Sequence, residues 1–473
     1  MNLLRNVTAA VLAASISGVA LADEGKIPSG MPRLDHVFVI MMENHSFVQI
    51  AGNPAMPFIN GLINGKANVA LNYFAVGHPS LTNYLEIVGG SNFRVRSDNS
   101  PDWHNSGCMP NIHSGLTNAD NDGGNSPYPL DPSGVICPIA GEGMDTATEA
   151  VDNWNETEPP VFNFLANIDG VQSIPSAKTV GKTIADQLAR VGLSWKTYQE
   201  NMPLAGADLV DNSNGTSDSR TTFDLTKPVS ATNFPPLSND SPDSAGKCPA
   251  TDTVLPCPAI LQAYAVKHNP FAYFQSIQEG HLPHSSLHNM VGFDGNRGLY
   301  ADLATGEVPN LSYIVPNQCN DQHGRGNGDA FCQFDPGTVA FGNLTDGTQV
   351  GLNPGLSAQA DATMQRIVTA IKKSPAWDRG DNAIVIVWDE NDYSGLATAL
   401  AAGKKFPDQN TNRVVLTVET NNPYARHVDS KTMYSSFSLL KSMEGAFRLP
   451  CLNHACDNNV SVMSDLFSSE RGW

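Results

Sequence analysis

The stretch His36-Val37-Phe38-Val39-Ile40-Met41-Met42-Glu43-Asn44-His45-Ser46-Phe47 decides how this chain is read. An unbroken apolar run stops abruptly at a carboxylate, an amide, an imidazole and a hydroxyl. A run of strand length with no polar alternation fits a strand buried on both faces, as parallel strands are. The runs 312–315, 383–388 and 414–418 read the same way. Helical spacing over 183–191, 358–373 and 434–447 alternates with them. Met364, Ile367, Val368 and Ile371 share one face of the second of these helices, and Leu439, Leu440, Met443 and Phe447 one face of the third. Both stripes are read as core. The pattern predicts an α/β fold with a central, mostly parallel sheet flanked by helices.

The other strand ends repeat the first. The run 383–388 opens onto Asp389-Glu390-Asn391-Asp392, and 312–315 leads into Asn317-Gln318-Cys319-Asn320-Asp321-Gln322-His323. Ligands of open α/β sheets bind at the carboxyl ends of the strands. Carboxylates gathered there repel one another unless a cation sits between them, so a divalent metal is expected. Each motif alone reads equally well as a turn or a helix cap; it is their shared placement that points to a metal. Oxygen donors favour Ca²⁺ or Mg²⁺, and added histidines would suit Zn²⁺ or Fe.

The sequence resembles a known family at three places. The motif 37–47, the segment Gly77-His78-Pro79-Ser80-Leu81-Thr82-Asn83-Tyr84 and the run Val385-Ile386-Val387-Trp388-Asp389-Glu390 are similar to the opening, nucleophile and late Asp-Glu motifs of the bacterial phosphoesterases of phospholipase C and acid phosphatase type, a branch of the alkaline phosphatase superfamily. The resemblance spans about 36–448 and implies an alkaline-phosphatase-like scaffold. It implies that Glu43, Asn44, Asp389 and Glu390 hold a metal, and that Ser80, bound to that metal, attacks phosphorus. Metal coordination is what makes a serine hydroxyl a competent nucleophile at neutral pH. Asn83 is then a donor to a phosphoryl oxygen, with a helix-surface amide as the equal alternative. Asp321 and His323 are candidates for a second metal position or for protonating the leaving oxygen, and His427 is a third candidate on that side; a single-metal site aided by histidines is the alternative.

Some residues depart from the pattern or are set aside. Ser436 stands where relatives carry a histidine, and Asn391-Asp392-Tyr393-Ser394-Gly395 replaces the Gly-Gly turn of the phospholipases, which favours the acid phosphatase branch. Phospholipase C-type phosphodiester hydrolysis and a non-catalytic phosphate-binding relative are the alternatives. A sulfatase is a poor fit, because Cys108-Met109-Pro110-Asn111 lacks the required arginine. His281, His284 and His288 are read as a solvated loop, and Glu200 as a carboxylate on the surface or behind the site.

Composition bounds the rest. Lys and Arg number 28 against 47 Asp and Glu, a net charge of −19, so a protein that coats nucleic acid is excluded. The expected partner is a small phosphorylated substrate or a lipid head group. Arg5, an apolar stretch 7–20 and Ala20-Leu21-Ala22 read as a signal peptide over 1–22, hence a periplasmic or extracellular enzyme with no stable membrane insertion. Residues 23–473 then form one catalytic domain with polar insertions near 97–160 and 205–256. Eight cysteines in an exported chain predict disulfides, and their spacing suggests the pairs 108–137, 248–257, 319–332 and 451–456. A zinc cluster is less apt, since no tight Cys-x-x-Cys pair occurs.

Overall fold

The computed structural model describes residues 24–77, 80–93, 95, 98, 101, 139–141, 179–202, 264–324, 354–391, 412–422 and 427–467. A single sheet organises them. Its strands are β1 (His36–Met42), β2 (Asn68–Phe74), β3 (Trp195–Gln199), β4 (Met290–Val291), β5 (Leu311–Val315), β6 (Asn382–Trp388), β7 (Arg413–Val414), β8 (Leu416–Thr420) and β9 (Asp429–Ser435). The order is β4-β3-β5-β1-β6-β8-β2-β7, with β9 beside β2. Strand β1 lies mid-sheet and runs parallel to both β5 and β6. Its residues from Val37 to Met42 are all buried, as the apolar run requires. Each such side chain contributes roughly 1.5–3 kcal/mol on burial.

One strand differs from expectation. The run 414–418 fits no parallel strand: it splits into β7 and β8, and β8 pairs antiparallel with both β6 and β2. A continuous apolar run reports burial on two faces, not direction, and β8 is covered on both faces by its place within the sheet. Strands β2 and β9, mixed in polarity, were not expected because polar residues interrupt both and neither shows a long apolar run.

The helices among the described residues include α1 (Ser80–Gly89), α2 (Ile184–Arg190), α3 (Pro354–Lys373) and α4 (Ser436–Phe447). Helix α1 is buried along its whole length, packed against α4 on one side and the turns at 266–273 on the other. It ends at Gly90, whose φ of +74° is open to glycine and strained for other residues. A Cβ there would also meet Leu452 O at 2.6 Å. Helix α4 begins two residues later than the expected 434, because Tyr434 belongs to β9.

Cys451 and Cys456 form the expected disulfide. Cys319 is also disulfide-bonded, its partner lying outside the described residues. The pairs 108–137 and 248–257, the signal segment 1–22 and nearly all of the two insertions lie outside them too. Among the described residues, no helix is long and apolar enough to cross a membrane.

Candidate active site

The register of β1 and β6 builds the site. Met42 stands opposite Trp388, so the next residues, Glu43 and Asp389, leave the sheet side by side. Asp389 N donates to Met42 O at 3.0 Å, and Asn44 N donates to Asp389 Oδ1 at 3.0 Å. The chain between these motifs returns Ser80 to the same edge at the start of α1, just past the carboxyl end of β2. The Ser80 hydroxyl lies between two carboxylates, 3.0 Å from Glu390 Oε1 and 3.2 Å from Glu43 Oε2. All of these side chains are buried.

Glu43 has two faces. Oε2 meets Ser80, while Oε1 accepts from Tyr84 OH at 2.5 Å and lies 3.0 Å from His268 Nε2. The His268 contact is an ion pair without hydrogen-bond alignment, so Nε2 is left without a hydrogen-bonded partner. The imidazole stacks on the Tyr84 ring, and its Nδ1 is 3.4 Å from Asp321 Oδ2. Asp321 is carried by the loop after β5. Its carbonyl accepts from Glu43 N at 2.9 Å, which fastens that loop to the end of β1. Donor atoms of Glu43, His268 and Asp321 all lie within 4.8 Å of one another.

The electrostatics arise from this crowding. Burial pushes the Asp389 carboxyl well above its ordinary range, and the charges of Glu43 and Glu390 push it further. Burial likewise raises Asp321, to about 7. Burial opposes ionisation of Glu43 too, yet His268 and Lys267 outweigh it and hold that carboxyl well below its usual range. His268 answers in kind: burial would lower it, but Glu43 and Asp321 raise it to about 9.

Among the described residues, the buried oxygens with no hydrogen-bond partner include Asn44 Oδ1, Asp389 Oδ2 and Asp321 Oδ2. Leaving such atoms bare costs about 1–3 kcal/mol each, more for charged groups. Bare oxygens of this kind suit a hard divalent cation, and among the described residues Glu43, His268 and Asp321 have donor atoms near enough together to hold one.

The other expected residues divide. Asn83 is at the site but its carboxamide is turned onto the chain leading to Ser80. Oδ1 accepts from Val76 N and Gly77 N, and Nδ2 donates to Gly77 O at 2.8 Å and Glu390 Oε2 at 3.3 Å. Both amide hydrogens are thus engaged, which gives Asn83 the task of holding the nucleophile's approach loop. His323 is buried here too. Gly324 O can only accept and the Lys267 ammonium can only donate, so His323 carries its proton on Nδ1 and offers a lone pair at Nε2. Burial and the Lys267 charge lower it to about 3, which does not suit the expected proton donor. His427 is not brought to the site. Its Nδ1 contacts Ala67 O, at the amino end of β2 and a strand's length from Ser80, and its Nε2 pairs with Asp429. Glu200 is buried, not on the surface. It accepts from Asn317 N and from Asn320 Nδ2, each at 2.9 Å, and so anchors the loop that carries Asp321.

Lys267, His268, Tyr84 and Asp98 escaped the sequence reading. The signal for the first two was the adjacent Lys267-His268 beside an aromatic segment, Phe271 to Phe274, an unusual place for two cationic side chains. Nothing local marked Asp98, and Tyr84 read only as part of the Ser80 motif.

A model of the Phosphoesterase family matches residues 53–331, more than half of the chain, and the chain belongs to that family. Among curated proteins, a phosphatidylinositol-3-phosphatase of Mycobacterium tuberculosis is 39% identical over 113 residues, or 24% of this chain and 36% of that protein. The match thus spans about a third of the relative's length. Among solved structures, an alkaline phosphatase superfamily protein of Vibrio parahaemolyticus is 11% identical with a TM-score of 0.38, covering 90% of this chain and 71% of that one. The C-terminal periplasmic domain of the phosphoethanolamine transferase EptC of Campylobacter jejuni is 10% identical with a TM-score of 0.39, covering 94% of this chain and 97% of that one.

Proposed function

We propose that the protein is an exported, metal-dependent phosphatase of acid phosphatase type, which hydrolyses phosphate monoesters through a phosphoserine at Ser80. The observation that carries the reading is the Ser80 hydroxyl, buried between the carboxylates of Glu43 and Glu390 at the carboxyl ends of a parallel sheet. The phosphoesterase family supports a phosphoester substrate, and a relative named for removing one phosphate supports a monoester over a diester.

Glu43, Asn44, Asp389 and Glu390, with Ser80, would hold a divalent cation; Glu43, His268 and Asp321 offer a second grouping on the other face of Glu43. When bound, the cation would lower the pKa of the serine hydroxyl and offset charge on the phosphoryl oxygens. The chain does the rest. Glu390 Oε1, the nearer carboxylate oxygen, takes the Ser80 proton, because Glu43 is held too acidic to be a good base. Ser80 Oγ forms the bond to phosphorus as the ester oxygen leaves. His268 is the cationic group best placed to return a proton to that oxygen, since it is held protonated on the Glu43 face where His323 is not. Water then hydrolyses the phosphoserine by the reverse path. Asn83 keeps Ser80 in register throughout.

Hydrolysis of a chromogenic phosphate monoester by metal-stripped and metal-restored protein, with an inositol phosphate monoester and a phosphodiester as comparison substrates, tests the reading. Turnover restored by metal on the monoesters is the expected result. Preference for the diester, or activity untouched by chelation in a preparation free of metal, would overturn it.

A further inference from the structure

Lys267 is a second, built-in cation at this site. Only 1% exposed, it sits in the short helical turn Val266–His268, next in sequence to His268. Its ammonium has three hydrogens and two anchors: Asp98 Oδ2 at 3.0 Å and His323 Nε2 at 3.4 Å. Among the described residues no third acceptor meets it. The anchors come from two separate segments of the chain. Asp98 Oδ1 accepts from Leu81 N, the residue after Ser80, at 3.1 Å. His323 belongs to the loop of Asp321, and its own N–H donates to Asp321 Oδ1 at 2.7 Å. The ammonium is therefore held between the first turn of the nucleophile helix and the Asp321 loop. It acts electrostatically on Glu43 and Glu390, the two carboxylates that flank the Ser80 hydroxyl.

A buried ammonium is costly, and Asp98 alone suffices to offset its charge. A simple counter-ion would close its remaining hydrogen onto a carbonyl or a second carboxylate. Among the described residues, two anchors hold the ammonium and leave one of its N–H groups without an acceptor, beside carboxylates that a phosphate group must approach. A fixed ammonium donates well to phosphate as a point charge and needs no reorganisation when charge develops.

We propose that Lys267 binds a non-bridging phosphoryl oxygen of the substrate, with Asp98 as the positioning residue that locks the ammonium to the helix of Ser80. This deepens the phosphatase reading and rests on it. No bond to Lys267 forms or breaks; its third N–H takes the oxygen in place of water.

The test is made on the metal-loaded full chain, with inorganic phosphate as the probe. In a Ser80→Ala background, Lys267→Met together with Asp98→Asn removes the buried pair without leaving a lone charge. Phosphate affinity by calorimetry should fall roughly 10- to 100-fold against Ser80→Ala alone, at unchanged metal content. On the Ser80 background the same pair should lower kcat/KM on the chromogenic monoester at least as much. Lys267→Arg should recover part of the phosphate affinity, which a purely structural role would not predict. Unchanged phosphate affinity in a folded pair variant overturns the proposal. If the pair variant does not fold, the structure of Ser80→Ala with bound phosphate decides. Nζ at about 2.7–2.9 Å from a phosphate oxygen is expected, and an ammonium turned away overturns it. The outcomes separate cleanly: an active Ser80→Ala protein would defeat the phosphoserine reading, while an inactive one with Lys267-independent phosphate binding would defeat only this inference.

Discussion

Two buried carboxylate regions lie close together in this molecule and have opposite characters. Glu200 is closed: its oxygens accept from a backbone N–H and a side-chain amide, and the loop 317–324 hangs from it. The group Glu43, Asp389 and Glu390 is open. Among the described residues, Asp389 Oδ2 and the neighbouring Asn44 Oδ1 have no hydrogen-bond partner, and Asp389 is pushed up by burial and by its two like-charged neighbours. A buried charge with its acceptors filled by the chain is scaffold. One with acceptors left bare is held for something the chain does not supply. Glu43 sits on the boundary, filled by Tyr84 and His268 on one oxygen and facing Ser80 with the other.

The sharpest way to break this contrast is at the nucleophile. Ser80→Ala should lower turnover by roughly 10⁴-fold or more with the fold retained, as loss of a covalent nucleophile does. Steady-state rates beside a thermal melt check it, and a folded variant with normal kcat would take Ser80 out of the reaction. Asp389→Asn comes next. Metal affinity and activity should fall together, by at least about 10- to 100-fold, while the apoprotein becomes no less stable, because a repelled carboxylate has been neutralised. Metal titration and melting of the apoprotein measure the two halves separately.

Glu200→Gln should behave in the reverse way. One of its filled acceptors becomes a donor, so stability should drop by about 1–3 kcal/mol, with metal affinity changed less than in Asp389→Asn. Chemical denaturation compares the two variants directly; equal losses of metal in both would erase the distinction. Chelation of the wild-type protein should lower its melting temperature by several degrees, since a ligand bound only to the folded state stabilises it. The smallest effect is expected at His427. Its half-exposed pair with Asp429 is worth about 1 kcal/mol or less, and His427→Ala should leave kcat unaltered. A large loss of activity there would mean that the two ends of the sheet are coupled.

How much of this was legible varies by element. Strands β1, β5 and β6 were readable because burial on both faces leaves an uninterrupted apolar run, and Glu43, Asp389 and Asp321 were readable as the polar residues that follow such runs. Ser80 stood out through a motif, while the helix it opens, α1, was not among the expected helices. Strands β2 and β9 were not readable, since their sequences are mixed in polarity. His427 is near a family motif in sequence but by the amino end of β2 in space, because closeness along the chain does not set closeness in the fold. Lys267 and His268 were passed over because they belong to a three-residue turn with no periodicity of its own.

The sequence by itself determined the α/β class, the family, the central strands and the carboxylates that end them, because hydrophobic periodicity and short motifs are local properties of the chain. Only the tertiary structure decided which side chains meet. The parallel register of Met42 with Trp388 brings together residues 345 positions apart, and the turn at 266–268 supplies the cations that keep Glu43 ionised. It also assigned Asn83 to the approach loop, left His323 without a proton at Nε2, and put His427 at the far end of β2. Distance, burial and the direction of a lone pair arise from packing between distant segments, and no single stretch of the chain contains them.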